Sequence, residues 1–161
     1  MASSFIISYN QITNRLKSEV TIQYNDKSNV ATALWDTGAT NTCISENIVS
    51  KLSLISTGKI EMHGSTGSSE QNTYLVDIIL PNNVKIDNLM VIDSDIGKQN
   101  IDMLIGMDII NRGDFSVSNY DDRTAFTFRI PSEKKINYAL ETRISGLIGK
   151  EHGKGKRKKK R

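Results

Sequence analysis

The stretch Ala33-Leu34-Trp35-Asp36-Thr37-Gly38-Ala39-Thr40 sets one carboxylate at the end of an apolar strand. A hydroxyl, a glycine and a small residue follow at once. Ala31 to Trp35 reads as a buried strand, so Asp36 falls where that strand breaks into a loop. A carboxylate there suits acid–base work on water. Two carboxylates about 3 Å apart resist double ionisation and share one proton. The ionised member takes a proton from water while the protonated member hydrogen-bonds a carbonyl and later donates. Thr37 can lock the loop through its hydroxyl, Gly38 allows close approach of backbone to water or substrate, and Ala39 keeps the floor small. The stretch occurs once in 161 residues, which is too short a chain for two such lobes.

Outward from this stretch, alternation of period two dominates. Val20, Ile22 and Tyr24 alternate with Glu19, Thr21 and Gln23, and Asn25-Asp26 supplies turn chemistry. Tyr74, Val76, Ile78 and Leu80 share one face of a strand. Pro81-Asn82-Asn83 turns the chain, and Val84 to Ile92 returns it as a hairpin. Phe115 and Val117, then Asn119-Tyr120-Asp121-Asp122, then Ala125 to Ile130 predict a second hairpin. Helix signals are few. Ser45 is a fitting N-cap for two turns ending at Leu52. Met103 to Asn111 predicts a short helix stopped by Gly113. Pro131-Ser132 can start a third, with Ile136, Leu140 and Ile144 on one side. Many short strands with turn signals predict an all-β barrel or sandwich, and no internal repeat is present.

Composition narrows the class. Hydrophobic residues make up 37% and charged residues 24%, which suits one globular domain. No apolar run nears the roughly 20 residues of a membrane span, so no membrane partner is expected. The N-terminus lacks the basic and apolar regions of a secretory signal. Cys43 is the single cysteine, which excludes an intramolecular disulfide and fits a reducing, cytoplasmic setting. With His63 and His152 the only histidines, no metal site and no cofactor are expected. Seven of the 21 Lys and Arg residues lie in the last eight positions, so the body, with 14 basic against 18 acidic residues, is mildly acidic.

Two further segments complete the pattern. Gly64, Ser65, Thr66 and Gly67 mark a flexible hairpin tip leading into the Tyr74 strand, the form of a flap that closes over substrate. Ile101-Asp102-Met103-Leu104-Ile105-Gly106-Met107-Asp108-Ile109-Ile110 places apolar residues before a glycine and a short apolar helix after it. With Asp36-Thr37-Gly38 upstream, the chain resembles the retropepsin-like aspartic proteases from about Glu19 to Ile130. The resemblance implies an acid-protease closed barrel with a flap hairpin, one short helix after the second motif and a C-terminal helix. It implies Asp36 as the catalytic residue, with Thr37, Gly38 and Ala39 shaping its loop. Leu104, Ile105 and Gly106 would pack beneath that loop. It also implies a homodimer, with Asp36 of two copies on a two-fold axis, Thr37 bonding across it, and a peptide or protein as substrate.

The sequence departs from the retroviral members of that family at two places. Thr40 stands where they often carry an acidic residue, and Met107 where they often carry an Arg, so their ion pair is missing. Asp108 reads as a structural carboxylate in the first helical turn. Trp35 reads as core, Cys43 as a small buried hydrophobe, and His63 as a loop histidine able to change charge near neutrality. The expected organisation is a protease domain over 1–130, a helical extension over 131–150 and a disordered basic tail over 151–161. Residues 154–161 offer non-specific contact with nucleic acid or other polyanions. Two other readings fit the same residues: a peptide-binding module of this fold that does not cut, and a nucleic-acid-associated protein acting through its tail.

Overall fold

A computed structural model describes residues 1–64 and 67–145, with side chains at 62–64 excepted. The tip residues Ser65 and Thr66, the side chain of His63 and the tail over 151–161 lie outside the described residues. The elements in chain order are β1 (Ser3–Ser8), β2 (Lys17–Tyr24), β3 (Lys27–Trp35), β4 (Cys43–Ser45), α1 (Glu46–Leu52), β5 (Gly58–Gly64), β6 (Gly67–Ile79), β7 (Lys85–Ser94), β8 (Met103–Ile105), α2 (Met107–Ile110), β9 (Asp114–Ser118) and β10 (Ala125–Ile130). A last helix, α3, covers 138–145.

Six strands in the order β2-β3-β8-β4-β7-β6 close into a barrel, because β6 also pairs with β2 through Ile22↔Ile78. Closure follows from the apolar alternation. Val20 and Ile22 from β2, Ala31 and Ala33 from β3, and Tyr74, Val76 and Ile78 from β6 all point into one core. Each large aliphatic side chain so buried contributes about 1.5–3 kcal/mol. Both expected turns form: Asn25 takes φ 54° between β2 and β3, and Asn83 takes φ 62° between β6 and β7. Ser45 caps α1, accepting a long bond from the Ile48 N–H at 3.4 Å, and Ile48 and Leu52 pin the helix to the core.

A second sheet, β1-β10-β9, packs against the barrel. The β9–β10 hairpin matches the sequence expectation, whereas β1 carries no signal strong enough to be read as a strand. Its partner supplies the reason, since Phe5 lies opposite Phe128 and Ile7 opposite Phe126. Trp35 joins the two sheets. It stacks on Phe115 at 5.7 Å with the rings 8° apart, lies 5.0 Å from Phe128, and donates from Nε1 to Ser18 Oγ at 2.9 Å. The strand end that carries Asp36 is thereby wedged between layers. Trp35 is a core residue, as expected.

Two helix expectations are corrected. Met103 to Ile105 is a strand, with Leu104 paired to Leu34 of β3 on one side and Cys43 of β4 on the other. A place inside a sheet outweighs the helical preference of this stretch, and α2 starts only after Gly106. It ends at Ile110 with Asn111 as C-cap, so Gly113 lies beyond it. The third helix does not start at Ser132. Asp114 holds that segment outside the helix, accepting from Ser132 Oγ at 2.5 Å, from Glu133 N–H at 3.1 Å, and from the Arg129 guanidinium. These bonds hold the Asp114 carboxyl down at about 2. The helix begins instead after Asn137, whose Oδ1 caps the Leu140 N–H at 3.1 Å.

Candidate active site

Asp36 directly follows β3, and its position is set by main-chain bonds. Its N–H donates to Ile105 O at 3.0 Å, extending the parallel register Trp35↔Ile105 by one residue. The chain then folds back, with Ala39 N–H donating to Asp36 O at 3.3 Å and Gly38 N–H donating to Asp36 Oδ1 at 2.8 Å. A Cβ at Gly38 would stand 3.1 Å from that carboxylate oxygen, so a side chain there would press on it. Asp36 is half-buried, while Thr37, Gly38 and Thr40 are exposed.

The second motif holds this loop from below. Ile105 is fully buried, and Leu104 less so. A Cβ built on Gly106 would lie 2.7 Å from the carbonyl carbon and oxygen of Asn41 and 3.0 Å from Ala39 O. Only glycine lets the two backbones touch this closely. Met107 N–H donates to Ala39 O at 2.8 Å and Asp108 N–H to Thr40 O at 3.2 Å. Thr40 and Met107, which cannot form the ion pair of retroviral members, are thus joined to this contact through the main chain.

Asp108 completes the lock. Its carboxylate accepts from Thr42 N–H at 2.9 Å and Thr42 Oγ1 at 2.7 Å, and Thr42 Oγ1 in turn accepts from Gly106 N–H at 3.2 Å. Thr42 is fully buried. The carboxylate is occupied by its own chain, which matches the structural role expected for it. Sequence alone does not mark Thr42, because an isolated threonine four residues past a glycine has no signal of its own. In the sequence Asp102 is marked only by its place in the second motif, yet its Oδ2 accepts from Thr32 N–H at 3.0 Å and its O from Ser45 N–H at 2.9 Å. Burial and the nearby charges of Asp108 and Asp93 push the Cys43 thiol up to about 11. Cys43 is half-buried rather than fully so.

β5 and β6 form a ribbon from Gly58↔Thr73 to Gly64↔Gly67, and Gly67 takes φ 129°, open to glycine and strained for other residues. Two of the four expected tip residues, Gly64 and Gly67, thus face each other across the ribbon's last pair. Among the described residues, no three His, Cys, Asp or Glu side chains gather as a metal site would, and no helix is long and apolar enough to cross a membrane.

A closed barrel with a half-buried aspartate on a glycine loop, backed by a second glycine at backbone contact, is the architecture of a single-lobed acid-protease domain. A family model described as aspartyl protease matches residues 19–109, more than half of the chain, and the protein belongs to that family. The retropepsin-like aspartic protease from Rickettsia conorii shares the fold, with a TM-score of 0.54 at 14% identity over 81% of this chain and 96% of its own. The simian foamy virus (mac) protease matches 60% of this chain and 92% of its own at 20% identity, with a TM-score of 0.46. The EIAV protease solved with the inhibitor HBY-793 matches 65% of this chain and 92% of its own at 23% identity, with a TM-score of 0.48. A search of curated protein sequences returned no match.

Proposed function

We propose that this protein is an aspartic endopeptidase that acts as a homodimer. The observation that supports it best is a single half-buried Asp36 per chain, on a backbone-locked loop whose Thr37 and Gly38 remain exposed. A two-fold axis through that exposed face would bring Asp36 of a second copy beside the first. The pair would hold one proton between them. The ionised Asp36 takes a proton from water as its oxygen attacks the peptide carbonyl carbon. The protonated Asp36 hydrogen-bonds the carbonyl oxygen and passes it the proton. On collapse, the C–N bond breaks, the nitrogen leaves with a proton returned by the first carboxyl group, and one hydroxyl of the diol gives its proton back to the second carboxylate, leaving a carboxylic acid and the restored pair. Thr37 would bond across the axis, and the β5–β6 ribbon would cover an extended peptide and exclude water. The nucleophile is water, and the reading calls for no metal or organic cofactor. A single cysteine fits action in a reducing cytoplasm.

The test is digestion of an unfolded protein mixture by wild type and Asp36→Asn from about pH 4 to 7, read by mass spectrometry. Cuts are expected with wild type and should fall by at least about 10²–10⁴-fold in the variant. Sedimentation and circular dichroism should match between the two. Equal turnover by the variant would sink the assignment.

A further inference from the structure

The β6–β7 ladder ends at Thr73↔Ile92. Beyond it the strands part. β7 runs on beside β4, with Ile44↔Asp93 and Ser45↔Ser94. β6 runs on with β5 as a two-stranded ribbon. Asp93 stands at this fork, and its carboxylate gathers donors from the departing strand. Oδ1 accepts from Asn72 N–H at 2.9 Å, and Oδ2 accepts from Asn72 Nδ2 at 2.7 Å and from the Tyr74 hydroxyl at 3.2 Å. Gln71 adds to this when its amide is turned to put nitrogen toward Asp93, the orientation that gives both amide atoms suitable partners. Its Nε2 then donates to Asp93 O at 2.7 Å and Oδ1 at 3.0 Å, while its Oε1 accepts from Ser69 Oγ at 3.2 Å.

A carboxylate has about four lone-pair sites, and three residues of one short segment fill them here. Their placement distinguishes them from the other bonds at the ribbon's base. Thr57 donates its N–H to Thr73 O at 2.8 Å and shares a hydroxyl contact with Thr73 at 3.1 Å. Those bonds join the two arms to each other. Asp93 instead ties the β6 arm to β7 of the barrel. A two-stranded ribbon has little rigidity of its own in water, so its direction is decided where it is rooted. The root is firm, because Tyr74 is buried and β7 is register-paired at Asp93 with β4, the strand that follows the Asp36 loop.

We propose that Asp93 is a positioning residue that fixes the angle at which the β5–β6 ribbon leaves the barrel, and so the resting height of the flap over Asp36. The second half of this statement rests on the peptidase reading above. The first half does not.

The experiment is hydrogen exchange by mass spectrometry on the full chain, comparing wild type with Asp93→Ala, Asp93→Asn and Tyr74→Phe. Ribbon amides in 58–64 and 67–72 are expected to exchange about tenfold faster in Asp93→Ala, with 31–35 of β3 unchanged. Asp93→Asn keeps one carbonyl oxygen for the Asn72 N–H and should be intermediate. Tyr74→Phe removes one hydroxyl and should show the smallest rise, and it gives the answer if Asp93→Ala does not fold. Unchanged ribbon exchange, or an equal rise in ribbon and β3, would overturn the proposal. On a peptide substrate, Asp93→Asn should raise KM more than it lowers kcat, whereas Asp36→Asn acts on kcat. A wild type that never cuts would overturn the peptidase reading while the exchange result still decides the role of Asp93.

Discussion

The loop over 36–42 and the ribbon over 58–73 are separated by only β4 and β7, yet they are held in opposite ways. The loop is gripped by backbone on several sides: Ile105 O, Ala39 O and Thr40 O all take part, and Gly106 lies against Asn41 with no room for a methyl group. The ribbon is held at its root, by Asp93 and by Thr57 against Thr73. Just past that root it carries the exposed pair Lys59–Glu70, of the kind that adds little in water. Under the proposed peptidase function, a firmly held carboxylate and a ribbon rooted at one end would suit a reaction that needs fixed geometry at one atom and repeated entry of a chain.

The sharpest way to break the contrast is Gly106→Ala. Its methyl group would meet Asn41 backbone at 2.7 Å, and backbone cannot move aside as a side chain does. We expect a loss of about 3 kcal/mol or more, enough to unfold much of the protein, by urea denaturation. Thr42→Val keeps the shape but removes the hydroxyl that serves both Asp108 and Gly106. It should cost about 2 kcal/mol, because a buried charge-assisted bond is lost and the Gly106 N–H loses its acceptor, while Asp108 keeps the N–H groups of Thr42 and Ile109. Gly67→Ala tests the other side. Its strain at φ 129° falls on a ribbon with few barrel contacts, so the global unfolding midpoint should move by the equivalent of about 1 kcal/mol or less while ribbon amides lose protection. The gentlest probe is Cys43, one strand residue past the loop. With its thiol raised from 9.0 to about 11, it should react with iodoacetamide at pH 7.5 about 100-fold more slowly folded than in urea. The difference should vanish as pH rises past 11. Fast labelling of folded protein would mean that the loop opens far more than its bonds imply.

Much of the barrel was legible because alternation of period two records burial on one face. Tyr74, Val76, Ile78 and Leu80 are all buried as their spacing requires. Turns were legible because Asn25 and Asn83 tolerate positive φ. The Asp36 loop and the second motif could be read as paired signals of one family. β1, β4 and β8 were less legible. β4 and β8 are each three residues long, and a segment that short has no period to read. Phe5 and Ile7 pack against the core only when β10 sets Phe128 and Phe126 opposite them.

The sequence by itself determined the strand faces, the turns and the one carboxylate at the end of β3, since these depend on side chains a few residues apart. Only the tertiary structure decided that Met103–Ile105 is a strand, that Gly106 touches Asn41, that Thr42 binds Asp108 and that Asp93 roots the ribbon. Each of these is a contact between segments 20 to 70 residues apart. Its energy depends on distances that exist only once the barrel has closed, so no local pattern in the chain can encode it.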